Sequence, residues 1–184
     1  GLCDGAGACR KWISGTVCVE QYCVAAVTYY NDTCNGTGTC VDNGSVACNG
    51  YVCDDAGVAC RTSCTDDTHC DTTYYCSSGS CVPKKANGST CSANNECSSW
   101  YCVDGYCCNT ACNGSCQSCN QAGALGACTN VPNNQDPDLE CGFCGVCSGG
   151  GACKPATAGT DIKANCTAQP STGCGYDGEC DGNY

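Results

Sequence analysis

The chain has no methionine, one phenylalanine and one histidine in 184 residues. Valine, isoleucine, leucine and phenylalanine together number only 18. A chain of this length ordinarily buries a sizeable apolar core. This one lacks the side chains to build it. No apolar run approaches the ~20 residues of a membrane-spanning helix, so no membrane insertion is expected. Basic residues are scarce too: seven Lys and Arg stand against 18 Asp and Glu, for a net charge of −11. Phosphate binding needs clustered cations, so nucleic acid is not an expected partner. The acidity is read as a source of solubility. The lone histidine, His69, sits in a polar Asp-Asp-Thr-His-Cys stretch. There is no G-x-S-x-G and no apolar segment to desolvate a reacting group, so no enzyme, catalytic residue or cofactor is expected. The chain begins Gly-Leu-Cys with neither Met nor a signal peptide, and reads as a processed form or a fragment.

What the chain has is sulfur: 29 cysteines, about one residue in six. That density marks a disulfide scaffold, in which covalent staples replace the missing core. Such scaffolds occur in oxidising compartments, so the expected location is extracellular, secreted or on a cell surface. Each closed loop contributes roughly 2–4 kcal/mol, mainly by restricting the unfolded chain. Twenty-nine is odd, so pairing leaves one cysteine for an intermolecular bond or a free thiol.

The cysteines recur in patterns. C-x-G-x-G-x-C occurs at Cys3–Cys9, Cys34–Cys40 and Cys147–Cys153, and a partial fourth copy starts at Cys180. Alternate glycines let the two cysteines close a tight, disulfide-stapled turn. Cys180, in the partial copy, is the candidate for an intermolecular bond. Cys3-x5-Cys9-x8-Cys18-x4-Cys23 is nearly duplicated by Cys34-x5-Cys40-x7-Cys48-x4-Cys53. A second type, Cys64-x5-Cys70-x5-Cys76-x4-Cys81, is echoed by Cys91-x5-Cys97-x4-Cys102-x4-Cys107, with Gly79 and Gly105 at the same place in the last loop. Cys166 and Cys174 complete the expected disulfide set, with pairings left open between local and interleaved. The expected modules are 1–30, 31–60, 61–86, 87–128 and 129–184. Val82–Ser89 reads as the connection between the two copies of the second type. Val24–Tyr30 is the best strand candidate, Asn43-Gly44 and Asn49-Gly50 read as hairpin turns, and a turn or two of helix is conceivable only near Asn120–Leu125. The fold class expected is small disulfide-rich modules in tandem, built of short β-hairpins and loops with little or no helix, and elongated.

The run from Gly88 to Cys119 (G-S-T-C-S-A-N-N-E-C-S-S-W-Y-C-V-D-G-Y-C-C-N-T-A-C-N-G-S-C-Q-S-C), with the later G-A-C-T-N-V-P and D-P-D-L-E-C, resembles a known kind of repeat. It is similar to the cysteine-rich repeats of large secreted and surface proteins of myxobacteria and related bacteria, and in part to the Dickkopf-type cysteine-rich module. The resemblance covers roughly residues 88–182. It implies an extracellular, disulfide-bonded, tandemly repeated protein and carries over no catalytic residue.

Several constellations have competing readings. Cys116-x2-Cys119 and Cys141-x2-Cys144-x2-Cys147 have metal-ligand spacing, but disulfides are the expectation and no metal site is assigned. Asp54-Asp55, Asp66-Asp67 and Asp177–Asn183 could offer oxygens to calcium, yet none fits an EF-hand and turn-capping is the simpler use. N-x-[S/T] acceptors occur at Asn31, Asn35, Asn43, Asn87, Asn113 and Asn165, more often than composition alone would give. Tyr29-Tyr30, Tyr74-Tyr75 and Trp100-Tyr101 are candidates for subunit contacts. The functional expectation is a structural subunit of an extracellular filament or surface fibre, joined head-to-tail with itself through its glycine-cysteine ends. The alternative is a binding module, an adhesin or receptor-type ectodomain recognising a protein or glycan. A metal-thiolate protein ranks behind both.

Overall fold

The computed structural model describes residues 6–164, 166–169, 171–173 and 177–183. Cys3, Cys174 and Asn165 lie outside them. The chain divides into two compact units, Gly1–Lys84 and Lys85–Tyr184, and the division falls inside the Val82–Ser89 connection. The first unit holds β1 (Val17–Val19), β2 (Tyr22–Val24), β3 (Val27–Tyr29), β4 (Asp32–Cys34), β5 (Cys40–Val41), β6 (Ser45–Ala47), β7 (Tyr74–Ser77) and β8 (Ser80–Pro83). They form two three-stranded antiparallel sheets, β1-β4-β5 and β2-β3-β6, and the hairpin β7-β8. Among its described residues the second unit holds three hairpin-like pairs. These are β9 (Cys102–Val103) with β10 (Tyr106–Cys107), β11 (Gln117–Ser118) with β12 (Thr129–Asn130), and β13 (Gly145–Cys147) with β14 (Cys153–Pro155). Helix among the described residues is limited to single 3-10 turns at Asp67–His69, Asn94–Glu96 and Ser171–Gly173. The fold is small, disulfide-rich and made mostly of hairpins and loops.

The Val24–Tyr30 stretch is not one strand. It breaks at Ala25 and Ala26, whose φ values of 49° and 59° are both left-handed, so Val24 returns to face Val27. Two consecutive left-handed residues turn a tight hairpin whose twist suits its strands. The stacked rings of Tyr22 and Tyr29, 4.8 Å apart, close its open end. Alanine is a poor resident of that region and asparagine and glycine are good ones. Replacing Ala25→Asn together with Ala26→Gly should therefore stabilise the oxidised protein by about 1 kcal/mol. Urea denaturation of both forms checks this, and an unchanged or lower midpoint counts against the turn geometry.

Asn49 and Gly50 form a tight turn as expected, with Tyr51 N–H on Cys48 O at 3.1 Å and both φ positive. It does not join paired strands, and neither does Asn43-Gly44, which links β5 of one sheet to β6 of the other. Residues 120–125 make successive turns (Ala124 N–H to Gln121 O, 2.9 Å) rather than helix, because Gly123 adopts a positive φ.

The two second-type cysteine patterns share one construction. Cys64 bonds Cys76 and Cys70 bonds Cys81; Cys91 bonds Cys102 and Cys97 bonds Cys107. Each has a 3-10 turn ahead of its second cysteine, at Asp67–His69 and Asn94–Glu96. The first residue of that turn holds the third cysteine in place: Asp67 Oδ1 accepts Cys76 N–H and Asn94 Oδ1 accepts Cys102 N–H, each at 2.8 Å. The last loops turn through Ser78-Gly79 and Asp104-Gly105, all four at positive φ. Gly79 O and Gly105 O then accept the N–H of the first cysteines, Cys64 and Cys91, at 3.0 and 2.9 Å.

The glycine-cysteine motif behaves differently from expectation. Cys34 and Cys40 face each other across β4-β5, and Cys147 and Cys153 across β13-β14, but neither pair is bonded to itself. Cys40 bonds Cys18, Cys147 bonds Cys116, and Cys153 bonds Cys141. The hairpin at Cys147–Cys153 is bolted outward at two points and the one at Cys34–Cys40 at one. Cys18–Cys40 and Cys23–Cys53 cross residue 30, and Cys116–Cys147 crosses residue 128, so neighbouring cysteine patterns are sewn together there.

Of 14 buried apolar residues among the described ones, 11 are cysteines, all of them in disulfides; the others are Val131, Val146 and Ala156. One cluster gathers Cys116, Val131, Cys141 and Cys147, and a second gathers Val146, Ala156 and Cys180. Sulfur occupies the place that leucine and isoleucine hold in ordinary domains.

Candidate functional site

Carboxylates of the acidic stretches accept nearby backbone N–H groups. Asp54 Oδ1 accepts the N–H groups of Val58 and Ala59 at 2.9 and 3.3 Å, and Asp55 pairs with Arg61. Asp66 caps the 3-10 turn through Thr68 N–H at 2.9 Å. Asp177 and Asp181 accept Glu179 N–H and Asn183 N–H at 3.0 and 2.8 Å. Donors aimed at a carboxylate favour its charged form. Val58 N–H holds Asp54 below the usual range, the Thr68 hydroxyl and N–H do so for Asp66, and Asn183 N–H does so for Asp181. Each of the three acidic stretches considered for calcium is thus used in local turn closure.

A wider role for acidity escapes a reading of composition. Among the described residues, seven cysteine N–H groups donate to Asp, Glu or Asn side chains. Besides Cys76 and Cys102, Cys116 donates to Glu140 (2.7 Å), Cys119 to Asp104 (2.7 Å), Cys128 to Asn109 (2.9 Å), Cys141 to Asp136 (3.1 Å) and Cys166 to Asp161 (2.8 Å). Short strands leave many backbone donors outside a ladder, and side chains fill the deficit. The only sequence sign would have been an acidic or amide residue near most cysteines.

The least exposed ion pair is Asp136–Lys163, with side chains 2% and 8% exposed. Asp136 also accepts Glu140 N–H at 3.0 Å, and Lys163 Nζ donates to Gly142 O at 2.7 Å. Burial pushes the Asp136 carboxyl upward, but Lys163 and the two N–H groups outweigh it and hold it below the ordinary range. Asp138 is pushed up by burial and by the charges of Asp104, Glu140 and Asp136.

Sulfurs converge in groups such as Cys23, Cys48 and Cys53, or Cys116, Cys141 and Cys147, with ligand atoms within 4.8 Å of one another. These groups are adjoining disulfides, and a disulfide sulfur lacks the thiolate charge that binds zinc. The C-x2-C spacings scatter to separate bonds: Cys108–Cys119, Cys116–Cys147, Cys141–Cys153 and Cys144–Cys180. Cys180 is therefore not the intermolecular candidate; it is bonded to Cys144 and 4% exposed. The Cys166 sulfur lies beside that bond, 3.4 Å from Cys144 Sγ and 3.7 Å from Cys180 Sγ. Cys9 and Cys34, expected in disulfides, are thiols here: Cys9 is exposed, and Cys40, opposite Cys34, is taken by Cys18. The other expected disulfide cysteines among the described residues, Cys166 aside, are bonded.

The surface groups sort by exposure. Asn31, Asn35, Asn43, Asn87 and Asn113 are all exposed. Asn43 Nδ2, the atom a glycan would take, already donates to Asn31 O and Thr33 Oγ1 at 2.6 and 3.2 Å. Tyr30, Trp100 and Tyr101 are exposed, whereas Tyr74 lies against Gly50, where a Cβ would sit 2.6 Å from its ring. The composition reading missed Trp12 and Ile13, 74% and 66% exposed. His69 Nδ1 lies 3.3 Å from Thr65 N and closes the 3-10 turn locally. Compared with protein-family models, curated proteins and solved structures, the chain matches none.

Proposed function

We propose that the chain is a structural subunit of an extracellular filament or surface fibre, joining copies of itself head-to-tail. The disulfide density suggests an oxidising, extracellular environment, and no helix among the described residues is long and apolar enough to cross a membrane. The observation that carries the reading is the pair of open sheets in the first unit. Strands β1, β5 and β6 are edges, exposed along their whole length, and carry Val17, Val19, Val41 and Val46 outward. An apolar edge with unpaired N–H and C=O groups is a template for another strand. Contacts of that kind that do not close a ring give open filaments.

The test is sedimentation velocity over a concentration series, with electron microscopy of the oxidised protein. Concentration-dependent growth into fibres is expected, and lysine at Val19 and Val46 should abolish it while leaving the monomer folded. A strictly monodisperse monomer at every concentration rejects the proposal.

A second reading is an extracellular binding module, an adhesin or receptor-type domain for a protein or glycan. The exposed aromatic step Trp100-Tyr101 favours it, with Trp100 held at φ 64°. A soluble monomer taking a saturable partner would select that reading. Glycan attachment belongs to the same proposal. In a secretory host with the attachment machinery, Asn87 and Asn113 should be modified and Asn43 left bare. Peptide mapping after enzymatic deglycosylation in heavy-oxygen water checks this.

A further inference from the structure

Ten of the twelve disulfides among the described residues fall into five interleaved pairs. They are Cys23–Cys53 with Cys48–Cys60, Cys64–Cys76 with Cys70–Cys81, Cys91–Cys102 with Cys97–Cys107, Cys108–Cys119 with Cys112–Cys128, and Cys116–Cys147 with Cys141–Cys153. In each, the first cysteine in chain order bonds the third and the second bonds the fourth. Four cysteines allow three pairings, and the same one occurs all five times.

The geometry explains the regularity. The third and fourth cysteines face each other across antiparallel chain: Cys53 and Cys60, Cys76 and Cys81, Cys102 and Cys107, Cys147 and Cys153. Cys119 and Cys128 continue the register of Ser118 and Thr129. Side chains at facing positions leave a sheet on the same side. Both sulfurs therefore meet the preceding chain together, and each takes one of its two cysteines.

Cys34 and Cys40 are such a facing pair. Cys40 bonds Cys18, as a fourth cysteine bonds the second. Cys34 then requires a first cysteine, ahead of Cys18. Cys9 stands there, and its segment is already laid along the same hairpin. Gly15 N–H donates to Cys34 O at 2.9 Å and Cys34 N–H to Thr16 O at 2.8 Å. Lys11 Nζ donates to Thr37 O in the hairpin loop, and its Cδ lies 3.2 Å from where a Cβ of Gly38 would sit. We propose that Cys9 and Cys34, thiols in this structure, join as a disulfide and complete a sixth interleaved pair with Cys18–Cys40.

The oxidant is a small-molecule disulfide such as oxidised glutathione. One protein thiolate attacks it, forming a mixed disulfide and releasing one glutathione thiolate. The second protein thiolate attacks the protein sulfur of that mixed disulfide and displaces the other glutathione. Two thiols lose two protons and two electrons, and one glutathione disulfide becomes two thiols. The closed bond would pin the exposed 9–14 segment, with Trp12 and Ile13, onto the β4-β5 hairpin.

The test is disulfide mapping of the protein equilibrated with oxidised and reduced glutathione. Thiols are blocked with N-ethylmaleimide before any reduction. Cleavage after Arg10 and before Asp32 and Asp42 isolates Cys9 from Cys18 and places Cys34 and Cys40 on fragment 32–41. The expected result is that fragment linked to both the Cys9 and the Cys18 peptides, with no label on Cys9 or Cys34. Cys9→Ser should add one labelled thiol per chain, at Cys34, and Cys34→Ser should add one at Cys9. Maleimide on Cys34 of the wild-type chain would overturn the proposal. So would a Cys3–Cys34 link, or a reducible dimer bonded through Cys9 or Cys34.

Discussion

Complete reduction at neutral pH should abolish the fold. Excess dithiothreitol, without denaturant, is expected to bring backbone amide exchange close to the rate of an unstructured chain. Eleven of the 14 buried apolar residues among the described ones are disulfide cysteines, so the reductant attacks the core itself. What would remain is Val131, Val146 and Ala156. Burying a valine contributes about 1.5–3 kcal/mol, whereas ordering each residue costs about 1–2 kcal/mol of backbone entropy. Three small side chains cannot offset that for a chain of 184 residues. The disulfides act on the other side of the balance. Closed loops of 10 to 36 residues each restrict the unfolded chain by roughly 3 kcal/mol when taken alone. Interleaved loops share part of that restriction, so their effects do not sum. Exchange protection that survives full reduction, with thiol counting to prove reduction complete, would refute this account.

The second large effect is expected at Asp136. Substitution Asp136→Ala leaves the buried Lys163 ammonium with Gly142 O and no counter-charge, and it removes the acceptor of two N–H groups. Breaking a buried pair from one side costs about 3–5 kcal/mol. The double variant Asp136→Ala with Lys163→Met should recover part of that loss, because no charge is then stranded. The sign of the pH dependence follows from the pair. Lys163 and the N–H donors depress the folded carboxyl below its unfolded value. Its contribution is therefore complete above the unfolded carboxylate range near pH 4. It is lost only as pH falls through the lower folded value. Denaturation of the oxidised proteins from pH 7 down to pH 2 reads both effects. A single variant as stable as the parent at pH 7, or a parent that loses this increment on going upward in pH, would show that the pair is not buried as described.

Much of this could be anticipated from residues alone, for identifiable reasons. Too few aliphatic residues and 29 cysteines leave a disulfide scaffold as the one way to order the chain. The kinship of 64–81 and 91–107 was legible because cysteine spacing and turn glycines are local. It carries through to the hydrogen bonds of Asp67 and Asn94. Where sequence reading went astray, the deciding contact was distant or the backbone unusual. Val24–Tyr30 carries strand-forming side chains on either side of two alanines, and those alanines adopt left-handed turns that no propensity favours. Cys180 looked unpaired because its motif is incomplete, yet its partner lies 36 residues earlier. The Asp136–Lys163 pair joins two stretches whose sequences name neither partner.

Composition and spacing settled the kind of protein this is: a disulfide-held assembly of hairpins and loops, with acidic side chains in plenty and almost no oil. Tertiary structure decided which sulfur meets which, which carboxylates cap cysteine N–H groups, and which apolar strands face outward. The physical reason is range. Turn chemistry and composition act over a few residues, whereas a disulfide needs two Cα atoms about 5–6 Å apart, and only the folded path of the whole chain brings Cys18 to Cys40 or Cys144 to Cys180.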